Sequence, residues 1–138
     1  MPPAKATNPQ LCCPCGTKIP LANCCLPYIE RQKLAPTAEL LMRSRYTAHV
    51  LLAIDYLWDS WSLEQRSHSS PQEVLSWASS CEWLGLQIFS TLAGCENDNQ
   101  GLVVFAASYR RAGKLEQHHE ISVFKKTADT WLYVGHQG

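Results

Sequence analysis

The sequence predicts an α+β fold with a small metal-built appendage at its N-terminal end. Three observations lead there. Apolar residues recur at helical spacing from Thr37 to Ser80. From Trp83 onward the period falls to two, broken by turn residues. Five of the seven cysteines crowd between Cys12 and Cys25. Helices followed by hairpin-linked strands give helices laid on one antiparallel sheet.

The chain has 138 residues, 46% of them hydrophobic, enough for one domain with a core plus a small addition. Formal net charge is zero, which argues against a broad nucleic-acid footprint. No apolar run approaches the roughly 18 residues that span a bilayer. Met1 to Asn8 contains no apolar signal core, so an intracellular, cytoplasmic and reducing location is expected. There clustered cysteines bind metal or do redox work more often than they form disulfides.

Residues 1 to 10 hold three prolines and little apolar material and are expected to be a disordered lead. Residues 11 to 27 form the knuckle: Cys13-x-Cys15, eight residues including Gly16, then Cys24-Cys25. Two close thiol pairs across a short loop suit a closed tetrahedral zinc site. Cys12 is a fifth thiol, either beside the site or an alternative ligand. The plainer alternative is a set of unpaired or redox-active thiols. So short a segment buries no core, and the metal itself would supply its folding energy.

Tyr28 to Pro36 reads as a connector. Thr37 caps a long helix running to Trp61, with Glu39 near its positive end. Leu40, Thr47, Val50, Ile54, Leu57, Trp58 and Trp61 fall on one stripe. Ser62 to Ser70 is polar and irregular. Ser70 caps a shorter helix with Pro71 at its first position, ending near Ser80. Trp83 to Leu92 alternates Leu84, Leu86 and Ile88 against Trp83, Gly85, Gln87 and Phe89. Leu102 to Arg111 places Val103, Phe105, Ala107 and Tyr109 on one side. Ala112-Gly113 turns into Leu115 to Lys126, and Trp131 to Gly135 is the last strand.

Cys13-Pro14-Cys15-Gly16 with Cys24-Cys25 resembles the SEC-C zinc motif, also found at the C-terminus of the SecA preprotein translocase. The downstream text resembles the YchJ family of bacterial proteins. The matching blocks are Leu41-Met42-Arg43-Ser44-Arg45-Tyr46, Asp55-Tyr56-Leu57, Trp61, Glu82-Trp83-Leu84-Gly85-Leu86, Glu120-x-Ser122-x-Phe124 and Trp131-x-Tyr133-Val134. The resemblance spans residues 11 to 135. It implies a nuclear-transport-factor-like, cystatin-like cone over residues 37 to 138, a curved antiparallel sheet around a long helix. It also implies zinc on Cys13, Cys15, Cys24 and Cys25. With the closed ligand set it points to an interaction module docking a protein partner of translocation or translation. An exposed sheet face in this fold also offers a homodimer contact. The family brings no activity to transfer.

The rival reading is a small-molecule-binding enzyme or sensor using the cone interior. Its polar candidates are Arg43, Arg45, Tyr46, Asp55, Glu120 and Ser122. Glu120, Ser122 and Phe124 are two apart and share a face. A Glu120 facing inward needs a partner, and an arginine of the long helix is the natural one. The plainer reading is a structural ion pair joining helix to sheet. His118 and His119 face opposite ways and cannot easily share an ion. His49 and His68 read as solvated or packed side chains, and Cys81 and Cys95 as incidental thiols. Trp58, Trp61, Trp83 and Trp131 read as core. No phosphate loop, dinucleotide fingerprint or nucleophile elbow is present.

Overall fold

The computed structural model describes residues 8–137, so most of the expected disordered lead lies outside the described residues. The chain opens with a 3-10 turn at Leu21–Asn23 and a one-turn helix, α1, at Leu26–Ile29. Helix α2 covers Ala38–Leu51, α3 Ile54–Asp59, α4 Leu63–Arg66 and α5 Pro71–Ser80. Strands β1 (Glu82–Ala93), β2 (Gln100–Arg111), β3 (Lys114–Thr127) and β4 (Thr130–Gln137) form one antiparallel sheet in the order β1-β2-β3-β4. The α+β class and the helix-on-sheet arrangement are as the sequence predicts.

Thr37 caps α2 by accepting from the Leu40 N–H at 3.1 Å, and Glu39 sits in the first turn. The single long helix to Trp61 is a correction: the chain breaks at Leu52, which adopts a left-handed φ of 58°. Ala53 then bonds back to the Ala48 carbonyl at 2.8 Å, and α3 leaves in a new direction. A left-handed leucine costs about 1–2 kcal/mol, so packing on either side of the break must hold it. Burial also departs from the single stripe. Helix α2 buries Leu41, Met42, Arg45, Tyr46, Thr47 and Ala48, while Leu40 and Val50 are half-buried. The reason is that α2 is covered twice, by the sheet on one side and the cysteine knuckle on the other.

Ser70 caps α5 by accepting from the Glu73 N–H, with Pro71 at the first helical position. The Ser62–Ser70 stretch is less irregular than expected, since α4 occupies part of it behind a Ser62 cap. Tyr133 pairs with this segment, its N–H donating to the Ser60 carbonyl and its carbonyl accepting from Ser62. That contact covers the free edge of β4.

Register shifts at Trp83/Gly85, Ile88/Ser90 and Val123/Phe124 bend the sheet around α2. The first also corrects the alternation in β1. The bulge keeps Trp83, Leu86 and Ile88 against the core and turns Leu84 out to solvent. In β2 and β3 the alternation holds, and Val103, Phe105, Ala107, Ser122 and Phe124 are all buried. Gly94 is required where it stands: its φ is +79°, and a Cβ there would lie 2.8 Å from the Ala38 Cβ. The apolar core runs from Cys13, Cys15, Leu21 and Tyr28 through Leu41 and Met42 to Phe124 and Trp131 without a break.

Candidate functional site

Two places gather chemistry, on opposite faces of α2. The first is the knuckle. Cys12 bridges Pro20, and Cys13 N–H donates to the Ile19 carbonyl at 2.8 Å, which closes the loop into a narrow ribbon. Gly16 takes a φ of +93°, a tight turn that brings Cys15 back beneath Cys13. The turn at Leu21–Asn23 then delivers Cys24 and Cys25, the latter at the N-terminal end of α1.

The sulfurs of Cys13, Cys15, Cys24 and Cys25 all lie within 4.8 Å of one another, and all four residues are buried. Thiolates about 2.3 Å from a shared tetrahedral ion lie about 3.8 Å apart. The Cys15–Cys24 and Cys24–Cys25 Sγ separations are 3.6 and 4.0 Å. The donor set therefore fits a metal ion bound by four protein sulfurs, with no position left for water. Cys12 stays outside: it is exposed, and its thiol meets the Lys18 carbonyl.

Charge in the thiol form is unevenly shared. Hydrogen bonds from Cys13 and Cys25 draw the Cys15 thiol far below its usual range. Hydrogen bonds with Cys13 and Cys15 push Cys25 up, and burial raises Cys24 to about 11. An ion would replace the protons these sulfurs share. Thr47 of α2 meets the Cys13 sulfur at 3.4 Å, and Arg43 donates to the Cys15 carbonyl at 2.8 Å. Arg43 also holds Glu39 at 2.8 Å. Arg43 thus faces the knuckle and does not line the cone interior.

The second place is a cavity of about 290 Å³ between α2, α5 and the inner sheet face. Arg45, Tyr46, Glu120 and Ser122 line it, together with His49, His118 and Tyr133. Asp55 is exposed in the first turn of α3, away from it. Trp61, Trp77, Trp83, Phe105 and Tyr109 supply most of the apolar wall.

Glu120 and Arg45 share this cavity but form no ion pair among the described residues, contrary to the expected helix-to-sheet bridge. Glu120 finds nearer partners on its own sheet. Its Oε2 accepts from the Ser122 hydroxyl and from the Tyr133 hydroxyl at 2.8 Å, and its Oε1 accepts from His118 Nε2 at 2.9 Å. Burial opposes its ionisation, yet these three donors outweigh burial and lower its pKa. Arg45 is buried and donates through Nη1 to the Leu57 carbonyl and the Ser60 hydroxyl. Its guanidinium lies 5.3 Å from the Tyr133 ring centre and 5.7 Å from that of Trp61. Burial lowers its pKa to about 10, so it stays charged at neutral pH.

His49 is a residue the sequence does not single out. Its Nδ1 lies 2.8 Å from the Arg45 carbonyl, which can only accept, so Nδ1 carries the proton and Nε2 the lone pair. Burial and the Arg45 charge hold its pKa down to about 4. The signal was its spacing, four residues after Arg45 on one helix face. His118 likewise stands two before Glu120 on the same strand face. His119 points the other way and stacks on Phe89.

Fold and site define a cone-shaped α+β protein with a knuckle whose four cysteines could hold a metal ion. A family model described as the YchJ middle NTF2-like domain matches residues 37–136, and the chain belongs to the YchJ family. A UPF0225 protein of Geobacter sulfurreducens is 39% identical over 126 residues, covering 91% of this chain and 78% of its own. Another, of Photorhabdus laumondii, is 38% identical and covers 88% and 77%. A SEC-C motif containing protein of Rhodopseudomonas palustris, solved in solution, superposes with a TM-score of 0.83 at 30% identity, covering 91% of this chain and 97% of its own. A crystal structure of a SEC-C motif containing protein of Psychrobacter arcticus gives 0.76 at 27% identity, covering 88% and 79%. Among the described residues no helix is long and apolar enough to cross a membrane.

Proposed function

We propose that this protein is a small-molecule-binding cone braced by a structural zinc ion. The observation that carries the reading is the cavity. Buried Arg45, neutral His49 and Glu120 with its three donors meet inside an aromatic wall, and such a pocket with a few converging polar groups is the usual form of a ligand site. Zinc is the ion that four clustered thiolates suit best. Cys13, Cys15, Cys24 and Cys25 would hold it, and its contribution would be a cross-link that fixes the knuckle against α2. Four sulfurs leave it no open position for a reaction. A reducing cytoplasm would keep such thiols available.

The test pairs metal analysis with ligand screening. One zinc per chain is expected by elemental analysis. Metabolite-sized compounds should raise the Tm of the zinc-loaded protein and lose that effect in Ala107→Phe, which fills the cavity from β2. A cavity that takes no compound at millimolar concentration sinks the reading.

A second reading, docking of a protein partner, draws on the outer face of β1. Leu84, Phe89 and Leu92 are 44%, 50% and 66% exposed on an edge strand. It predicts that the metal-loaded protein retains a partner that Phe89→Ser and Cys24→Ser, Cys25→Ser variants both lose. Equal retention by all three excludes it.

A further inference from the structure

Hydrogen-bond accounting in the cavity shows which ligand chemistry it is short of, taking the small-molecule reading as its basis. Few acceptors are left, chiefly the His49 Nε2 lone pair. Both oxygens of Glu120 are engaged by Ser122, Tyr133 and His118. Donors, in contrast, are left over. Arg45 makes both of its bonds through Nη1, so its Nε–H and Nη2 hydrogens have no partner among the described residues. The Trp61 Nε1–H is buried with no partner among the described residues, but it is closed off from the cavity itself. An orphaned buried donor costs about 1–3 kcal/mol, and Trp61 lies beside the Arg45 guanidinium. Trp77 packs edge to face on Trp83 and on Tyr109, and Trp83 and Tyr109 are tilted against each other, 5.5 to 6.2 Å between ring centres, which makes one apolar wall of the cavity.

We infer that the cavity takes a compact aromatic carboxylate, its carboxylate on the unspent Nε and Nη2 donors of Arg45 and its ring against Trp77, Trp83 and Tyr109. An ammonium ligand would meet the buried Arg45 charge, and the lone pairs left to it are few, those of His49 Nε2 and of one remaining site on Glu120. A neutral amide would use the donors without answering the charge. A free phosphate would leave the aromatic wall unfilled. The cavity volume of about 290 Å³ sets the size at no more than a fused two-ring body.

The experiment titrates the full-length, metal-loaded protein at constant ionic strength, following tryptophan fluorescence and heat of binding. The probes are benzoate, phenylacetate and indole-3-acetate, set against benzamide, benzylamine and inorganic phosphate. The acids should bind and the other three should not. Arg45→Met should abolish binding. Because Arg45 also anchors the end of α3, Arg45→Lys is the companion variant; it keeps the charge without the fork and should bind the acids more weakly than wild type while still folding. Binding of benzylamine, benzamide or phosphate as tight as that of the acids overturns the acid assignment but leaves a ligand-binding cavity. Full affinity in Arg45→Lys also overturns it. Failure of every probe to bind overturns this inference, while the small-molecule reading falls only if the wider screen of compounds also finds none that binds.

Discussion

Arg43 on α2 donates to the main-chain carbonyl of Cys15 at 2.8 Å, tying the knuckle to the helix across 28 residues of chain. The same guanidinium holds Glu39 one turn earlier, so its orientation is set before the knuckle meets it. A charged donor on a peptide carbonyl is worth about 1.5–3 kcal/mol. Arg43→Met should therefore lower unfolding stability in urea by an amount in that range while leaving ligand titrations of the cavity unchanged. An unchanged midpoint would mean that the contact is spent against solvent.

Removing the metal should be read out first by the cysteines. Cys12 and Cys95 are exposed, whereas Cys81 and the four clustered cysteines are buried. Under native conditions a thiol reagent should label Cys12 and Cys95 at once. A strong chelator should then release Cys13, Cys15, Cys24 and Cys25 together, since one ion would hold all four. Cys81, at the end of α5, should stay protected. Because Cys13, Cys15 and Leu21 belong to the same core as Leu41 and Met42, the Tm should fall along with this labelling. Labelling of the four one at a time would argue against a common ion.

Acid should loosen the helix from the cavity side. His49 is neutral in the fold, its pKa pushed down to about 4 by burial and by the Arg45 charge. Unfolding returns it to its ordinary value near 6.5, so the unfolded chain binds more protons between those limits. Stability is therefore retained above about pH 6.5 and lost as the pH falls toward 4, by up to about 3 kcal/mol. Glu120, with a lowered pKa, works in the same sense at lower pH. His49→Gln should flatten the upper part of that profile in pH-dependent urea unfolding. A parallel profile in the variant would assign the loss to other groups.

What was legible in the sequence followed from local rules. Thr37 and Ser70 announce helix starts because their hydroxyls cap N–H groups. The alternation in β2 and β3 marks the buried face because the strand period is two. The thiol quartet was legible because its spacing is its chemistry. What was not legible depended on contacts distant in sequence. Leu52 carries no glycine signal at the helix break, and only packing around it holds the left-handed turn. The bulge that turns Leu84 outward carries one signature, Gly85 inside the strand, but the alternation of Leu84 with Leu86 and Ile88 hides it. Arg43 and Arg45 are two apart on one helix and so face different ways, one to the knuckle and one to the cavity. Helical spacing alone could separate them but could not say which way each pointed.

The β3–β4 hairpin carries strain that can be removed. Ala128 and Asp129 join the strands with φ values of 50° and 65°, the left-handed pair that a two-residue turn of this twist demands. Alanine is poorly suited there, because its Cβ crowds the backbone, and asparagine followed by glycine is the favoured pair. The β2–β3 turn already has its glycine, Gly113 at 77°, after Ala112 at 52°. The flanking pairs Thr127–Thr130 and Lys126–Trp131 stay in register, so a change at the turn leaves the strands as they are. Ala128→Asn with Asp129→Gly should raise stability by about 1 kcal/mol. The gain should appear as a higher urea midpoint with an unchanged slope, because the surface exposed on unfolding does not change. Asp129→Pro should do the opposite, since its ring fixes φ near −65°. A loss of stability in the Asn-Gly variant would show that Asp129 makes a contribution in the fold beyond its backbone angle.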